Sequence, residues 1–362
     1  MNVKSIGAAL VAAALIVLSH SAADAQVKIE GEPKVAFIYF NVKDDGGWVQ
    51  AQEEARVSLE ADTGIHTAYT EGVEEVASKL RAVVERYIRR GYNIIAASAF
   101  GYNDALLEIA KEHPNVAFFN APGTTSADNL EGYYARTYES QFLCGMVAGA
   151  MTKTNKIGFV AAVPISVTTW NVNAYALGAQ LVNPDAVVHV IFTNAWYDPV
   201  KERATAQALV EQGVDFLGQH QDTPSTQIVA QESGIYSTGY HRDMSEYSSA
   251  TQCSSVWVWA RYITPTVQEI VTGNWKSSGL RFLGIKDGGT DAVCCGPAVP
   301  EDIAAKVMAV REEIVNGTRH VFQGPISDNE GNVVVAEGEQ LHDGQIWGMN
   351  YLVQGVVGEL PK

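Results

Sequence analysis

Lys34-Val35-Ala36-Phe37-Ile38-Tyr39-Phe40 is an apolar run that opens into Asn41-Val42-Lys43-Asp44-Asp45-Gly46-Gly47-Trp48. Val187-Val188-His189-Val190-Ile191-Phe192 is a second such run, and it opens into Thr193-Asn194-Ala195-Trp196-Tyr197-Asp198-Pro199. Each run reads as a buried strand, short and rich in β-branched and aromatic residues. Each following loop is polar and carries one large flat ring. Ligands of open α/β sheets sit outside the carboxyl ends of the strands. Two strand ends of this kind predict two lobes, each offering a tryptophan to a shared cleft.

Working outward, helix and strand patterns alternate. Glu75 to Arg90 places Val76, Leu80, Val83, Val84, Tyr87 and Ile88 on one helical face, with Gly91 as the stop. Asn93 to Ser98 reads as a strand, Tyr102 to Glu112 as a helix, and Val116 to Asn120 as a strand. The second half repeats the rhythm: a strand over Lys156 to Ala161, a helix over Val172 to Leu181, then Val187 to Phe192. Asp198 is placed to cap the next helix, with Pro199 at its first position. Gly213 closes that helix and Phe216-Leu217-Gly218 forms the next strand. Alternation of this kind implies parallel sheets covered on both faces. The expected division is residues 26–140 for an N-terminal lobe and 141–255 for a C-terminal lobe. Residues 256–362 are expected to cross back to the first lobe and end in a β-hairpin, around Asp328-Asn329-Glu330, and a short helix.

Residues 1–25 read as a secretory signal, with Lys4 at the start, an apolar stretch from Gly7 to Leu18, and Ala23-Asp24-Ala25 before Gln26. The apolar stretch, about 12 residues, is short for a membrane span, and no later segment approaches the required length of about 20. No cysteine lies near the cleavage site, so no lipid anchor is expected, and the protein reads as soluble and exported. The net charge of −16 argues against nucleic acid and anionic membranes as partners. Of the four cysteines, Cys144 reads as a buried free thiol in a small-residue helix, and Cys253 can pair with Cys294 or Cys295. No C-x-x-C is present, and no metal or cofactor is expected.

The usual catalytic signatures are missing: there is no G-x-S-x-G, no H-E-x-x-H and no Walker A sequence. Asp44 and Asp45 read better as a helix cap and a solvent- or ligand-facing carboxylate than as an acid–base pair. His220 and His241 both follow strands, without the helical spacing of a metal pair. Polar and aromatic residues instead recur at strand ends: Trp48, Phe100, Asn173, Trp196, Asp222 and Asp243. Flat rings sandwich planar ligands, and Asp or Asn then meets ring nitrogens and amino groups.

These residues sit within motifs that resemble the basic membrane protein family of ABC transporter solute-binding proteins. The motifs are Asp45-Gly46-Gly47-Trp48, Thr152 to Gly158, Trp196 to Glu202, Gln219-His220-Gln221-Asp222, Gly239 to Met244, Lys286-Asp287-Gly288 and Phe322 to Ile326. The resemblance implies a type I periplasmic binding protein fold, two doubly wound α/β lobes joined by crossovers around a ligand cleft. It implies capture of a purine base or nucleoside, delivery to a membrane permease, and no enzymatic activity; a monomer is expected. Trp48 and Trp196 would be the aromatic contacts, Asn173, Asp222 and Asp243 the polar ones. Phe100 would line the pocket, Asp45 and His241 would complete the contacts, and Lys286 or Asp287 would close it from the crossover side. His241 stands where the resembling subgroup carries a carboxylate. The competing readings are a binder of a sugar or other planar metabolite, and an exported nucleoside-processing enzyme.

Overall fold

The computed structural model describes residues 26–360, so the expected leader over residues 1–25 lies outside the described residues. The chain alternates β1 (Lys34–Ile38), α1 (Trp48–Thr63), β2 (His66–Thr70), α2 (Ala77–Arg89), β3 (Ile94–Ala97), α3 (Asn103–Glu112), β4 (Ala117–Asn120) and β5 (Leu130–Ala135). It crosses at Arg136 into α4 (Thr137–Met151), β6 (Lys156–Ala161), α5 (Ser166–Val182), β7 (Val187–Phe192), α6 (Pro199–Glu211), β8 (Phe216–His220), α7 (Ser225–Glu232), β9 (Tyr236–His241) and β10 (Thr251–Trp257). It then returns through α8 (Ala260–Val271) and β11 (Leu280–Leu283). The chain ends with β12 (Thr290–Cys294), α9 (Glu301–Val315), β13 (Ile326–Ser327), β14 (Val333–Val335), α10 (Asp343–Trp347) and β15 (Val356–Val357).

The first sheet runs β11-β5-β4-β3-β1-β2 and the second β12-β10-β9-β8-β6-β7-β15. Ignoring the added edges, each is the same winding: the second strand pairs outside the first, and the next three follow on the other side. Pairings within both sheets are parallel except β10 with β12. The last hundred residues divide. α8 and β11 go to the first sheet, whereas β12 and β15 join the second. Cys253 and Cys294 face one another across β10 and β12 and form a disulfide. Cys144, on α4, is a buried free thiol with its sulfur 2.9 Å from that of Cys253.

Local chemistry explains the elements. In α2 the helical spacing buries Leu80, Val84 and Tyr87 on one face, and each such side chain stabilises by about 1.5–3 kcal/mol. Asp198 caps α6 by accepting from the Lys201 N–H at 3.1 Å, with Pro199 at the first position. β7 alternates buried and half-buried residues rather than being buried throughout, because only the two-residue β15 lies beyond it. α4 and α5 press together: a Cβ on Gly145 would stand 2.0 Å from the Tyr175 carbonyl oxygen. That fit holds α5 as a helix from Ser166, six residues before the expected start. The β-branched run Val167-Thr168-Thr169 has low helix propensity, and burial overrides it.

Candidate functional site: a closed cleft between the two sheets

In the first sheet the strand order reverses between β1 and β3, and in the second between β6 and β8. The loops after these strands face each other, the place where such sheets bind ligands. A cavity of about 60 Å³ lies there, room for about two water molecules. Phe40, Trp48, Ser98, Ala99, Phe100, Pro122 and Tyr134 line it from the first sheet, with Glu75 at the margin. Ile165, Val167, Trp196, His220, Asp222 and His241 line it from the second.

Trp48 is placed by the loop before it. The Asp45 carboxylate accepts from the backbone N–H groups of Gly47 (2.9 Å), Val49 (3.1 Å) and Gln50 (3.1 Å), starting α1 with Trp48 as its first residue. The Trp48 indole N–H donates to the Ser98 carbonyl at 2.9 Å. Its ring meets Trp257 and Trp259 edge-on at 5.2 and 5.7 Å, and those two stack on each other at 4.5 Å. Trp196, in contrast, is half-buried, and the ring nearest it is His220, at 6.2 Å.

The polar edge belongs to the second sheet. His220, Asp222 and His241 are buried at the ends of β8 and β9. Burial pushes Asp222 up to about 8 and both histidines down to about 3. An independent geometric fact fixes the state of His241. The Trp257 indole N–H, which can only donate, points at His241 Nδ1 at 2.7 Å. Nδ1 therefore carries a lone pair, the ring is neutral, and the proton is on Nε2. Nε2 lies 2.9 Å from Asp222 Oδ1 but makes no hydrogen bond, because the N–H does not aim at that oxygen. The contact is thus not an ion pair. His241 is also held at φ +74°, an uncommon conformation for a residue with a side chain. Neither ring nitrogen of His220 has a hydrogen-bond partner among the described residues, and a buried donor left unpaired costs about 1–3 kcal/mol.

The two sides touch. A Cβ on Gly47 would lie 2.2 Å from the Asp222 carbonyl oxygen, so only glycine allows this approach. Arg242 reaches Glu54 on α1 at 2.8 Å, and the Tyr247 hydroxyl donates to Gln50 at 3.2 Å. The cleft is therefore in a closed form.

Trp48, Phe100, Trp196, Asp222 and His241, all read from the sequence as candidates, meet in this cavity. Asp45 stands behind them: its oxygens are taken by the helix start, and burial, then the Asp222 charge, raise it to about 6. Three expected contacts lie elsewhere. Asn173 pins the C-terminal tail, donating to the Tyr351 carbonyl (2.8 Å) and accepting from the Val353 N–H (3.0 Å). Its displacement follows from α5 starting at Ser166, which puts Asn173 two turns from the cleft end. Asp243 accepts from the Ser245 N–H at 3.0 Å and caps the short turn after β9. Lys286 is exposed and lines a separate cavity with Arg136, Glu139 and Asp287. Sequence reading missed Tyr134, Ile165 and Val167, which carry no chemical signature, and the link from Trp257 to His241, which joins two strands.

Comparison with known proteins agrees with this geometry. The sequence profile described as ABC transporter substrate-binding protein PnrA-like matches residues 32–322. A purine-binding protein of Brucella abortus is 35% identical over 338 residues, covering 92% of this chain and 95% of that one. A Haloferax volcanii protein assigned to an ABC transporter as glucose-binding is 31% identical, covering 92% of this chain and 83% of that one. A solved solute-binding protein of an ABC transporter system from Conexibacter woesei superposes with a TM-score of 0.67 at 19% identity, over 80% of this chain and 98% of that one. The two doubly wound lobes are the type I periplasmic binding protein fold. Its family is one of binding proteins, which work outside the cytoplasmic membrane. The chain belongs to the PnrA-like family of ABC transporter substrate-binding proteins.

Proposed function

We propose that this protein captures a purine base, without its sugar, and hands it to the permease of an ABC importer. The observation that carries the reading is the cavity itself. Flat rings, Trp48 and Trp196, flank a space of about 60 Å³, and its buried polar groups stand on one edge. The lining suits a flat fused ring, and the small enclosed space favours the base over the larger nucleoside. The Brucella relative is named for purine binding, which supports the class.

The Haloferax relative supports a second reading, glucose. A sugar needs polar partners around its whole rim, and here the aromatic wall of Phe40, Trp48 and Phe100 offers none. Catalysis has little support: Asp45, weighed with Asp44 as an acid–base pair, is held by three backbone N–H groups and stands behind the cavity lining. We further take the protein as a monomer, free in the periplasm, with no bound cofactor. Calorimetric titration tests the proposal. Purine bases should bind at least tenfold more tightly than their nucleosides, and glucose should give no heat of binding. Tighter binding of nucleosides, or binding of glucose alone, would overturn it.

A further inference from the structure

We propose that Trp257 is a positioning residue and His241 a specificity-determining one. The Trp257 indole N–H locks the His241 ring so that Nε2–H is offered to a ring-nitrogen lone pair of the bound base, beside the Asp222 carboxyl. This deepens the purine reading and rests on it.

A neutral imidazole has one donor and one acceptor. Trp257 uses the acceptor at 2.7 Å. The remaining donor is buried on the cavity wall, beside Asp222 Oδ1 but without a well-aimed hydrogen bond to it. It is fixed from three directions. Trp257 holds Nδ1, the Tyr240 ring packs against the imidazole at 4.1 Å, and the backbone is confined at φ +74°. Trp257 is itself braced by its stack on Trp259 and its edge contact with Trp48. The donor is held in place facing the cavity, where a ligand acceptor completes it. With Asp222 Oδ1 2.9 Å from Nε2, the matching ligand edge is a ring-nitrogen lone pair next to an N–H. Such an edge occurs on purine bases, whereas pyranose hydroxyls, which rotate, do not require it. Leaving a buried donor without its partner costs about 1–3 kcal/mol, or roughly 5- to 150-fold in affinity.

The test compares a purine base with its 1-, 3-, 7- and 9-deaza analogues on the wild-type protein. In each analogue one ring nitrogen is replaced by carbon. One analogue should bind at least tenfold more weakly than the parent while the others stay close to it. In Trp257→Phe, which keeps the ring and removes the N–H, the parent base should lose about as much. The analogue that was already weak should lose nothing further, a coupling that a merely structural role would not produce. Nitrogen NMR of the wild-type imidazole gives a readout independent of that variant's folding: His241 Nδ1 should be unprotonated and Nε2 protonated. Equal binding of the parent and all four analogues, or a protonated Nδ1, would overturn the inference and leave the purine reading standing. Failure of the parent base to bind would instead remove the purine reading itself.

Discussion

Trp48 and Trp196 occupy matching strand ends in the sequence, yet the structure uses them differently. Trp48 begins a helix, donates to Ser98, and packs edge-on against a stacked pair of tryptophans. It is nearly inaccessible, at 5% exposure, and belongs as much to the core as to the cleft. Trp196 sits on a loop, half-buried, with His220 as its ring neighbour. The first sheet supplies a rigid apolar wall, and the second supplies a lighter aromatic cover together with the polar edge. On the proposed reading, the difference separates what holds the protein together from what holds the ligand.

The contrast makes ordered predictions. Trp48→Ala should cost about 3–5 kcal/mol of stability, as for a large aromatic removed from a core, measured by denaturant unfolding. A loss below about 1 kcal/mol would erase the distinction between the two rings. Asp222→Asn should do the reverse. Burial raises the Asp222 carboxyl from 3.8 to about 8 in the folded state. The folded protein therefore holds a proton there that the unfolded chain releases above pH 4. The wild type should lose stability as pH rises from about 4 to 8, and the asparagine variant should escape that loss. At pH 7 the gain is up to about 4 kcal/mol, read from the pH dependence of the melting temperature, together with weaker ligand binding. Identical pH profiles would show that the carboxyl is not held neutral. Trp196→Ala should leave stability within about 1 kcal/mol while losing about 1–3 kcal/mol of binding, the size of one base–ring stack. Glu54→Gln should have the smallest effect. Its partner Arg242 lies across the cleft rim, and half-exposed pairs contribute about 0–1 kcal/mol. It should raise the ligand off-rate by less than about fivefold, seen by stopped-flow fluorescence.

The fold was legible because burial imposes periods. The spacing of Leu80, Val84 and Tyr87 and the runs at Lys34 and Val187 state helix and strand directly. The position of Trp48 and Trp196 at the cavity was legible because a strand end places its loop. The misreadings have physical causes. Asn173 was taken for a cleft residue because Val167-Thr168-Thr169 disguises the first turns of α5. Asp243 follows its strand as Asp222 does, but the chain turns and spends its carboxylate on a local cap. Lys286 lies by the crossover, as its motif implies, yet on the side away from the cavity. The state of His241 was out of reach, since it depends on an indole N–H arriving from a neighbouring strand.

The central claim is that these two unequal walls close on one flat base. Thermal melting of the full chain with a purine base, its nucleoside and glucose tests it most directly. Ligand at about 100 times its Kd adds about 2.7 kcal/mol of stability. The account predicts a clear rise in melting temperature with the base, a smaller one with the nucleoside at equal concentration, and none with glucose. A rise with glucose and none with any purine base would contradict it.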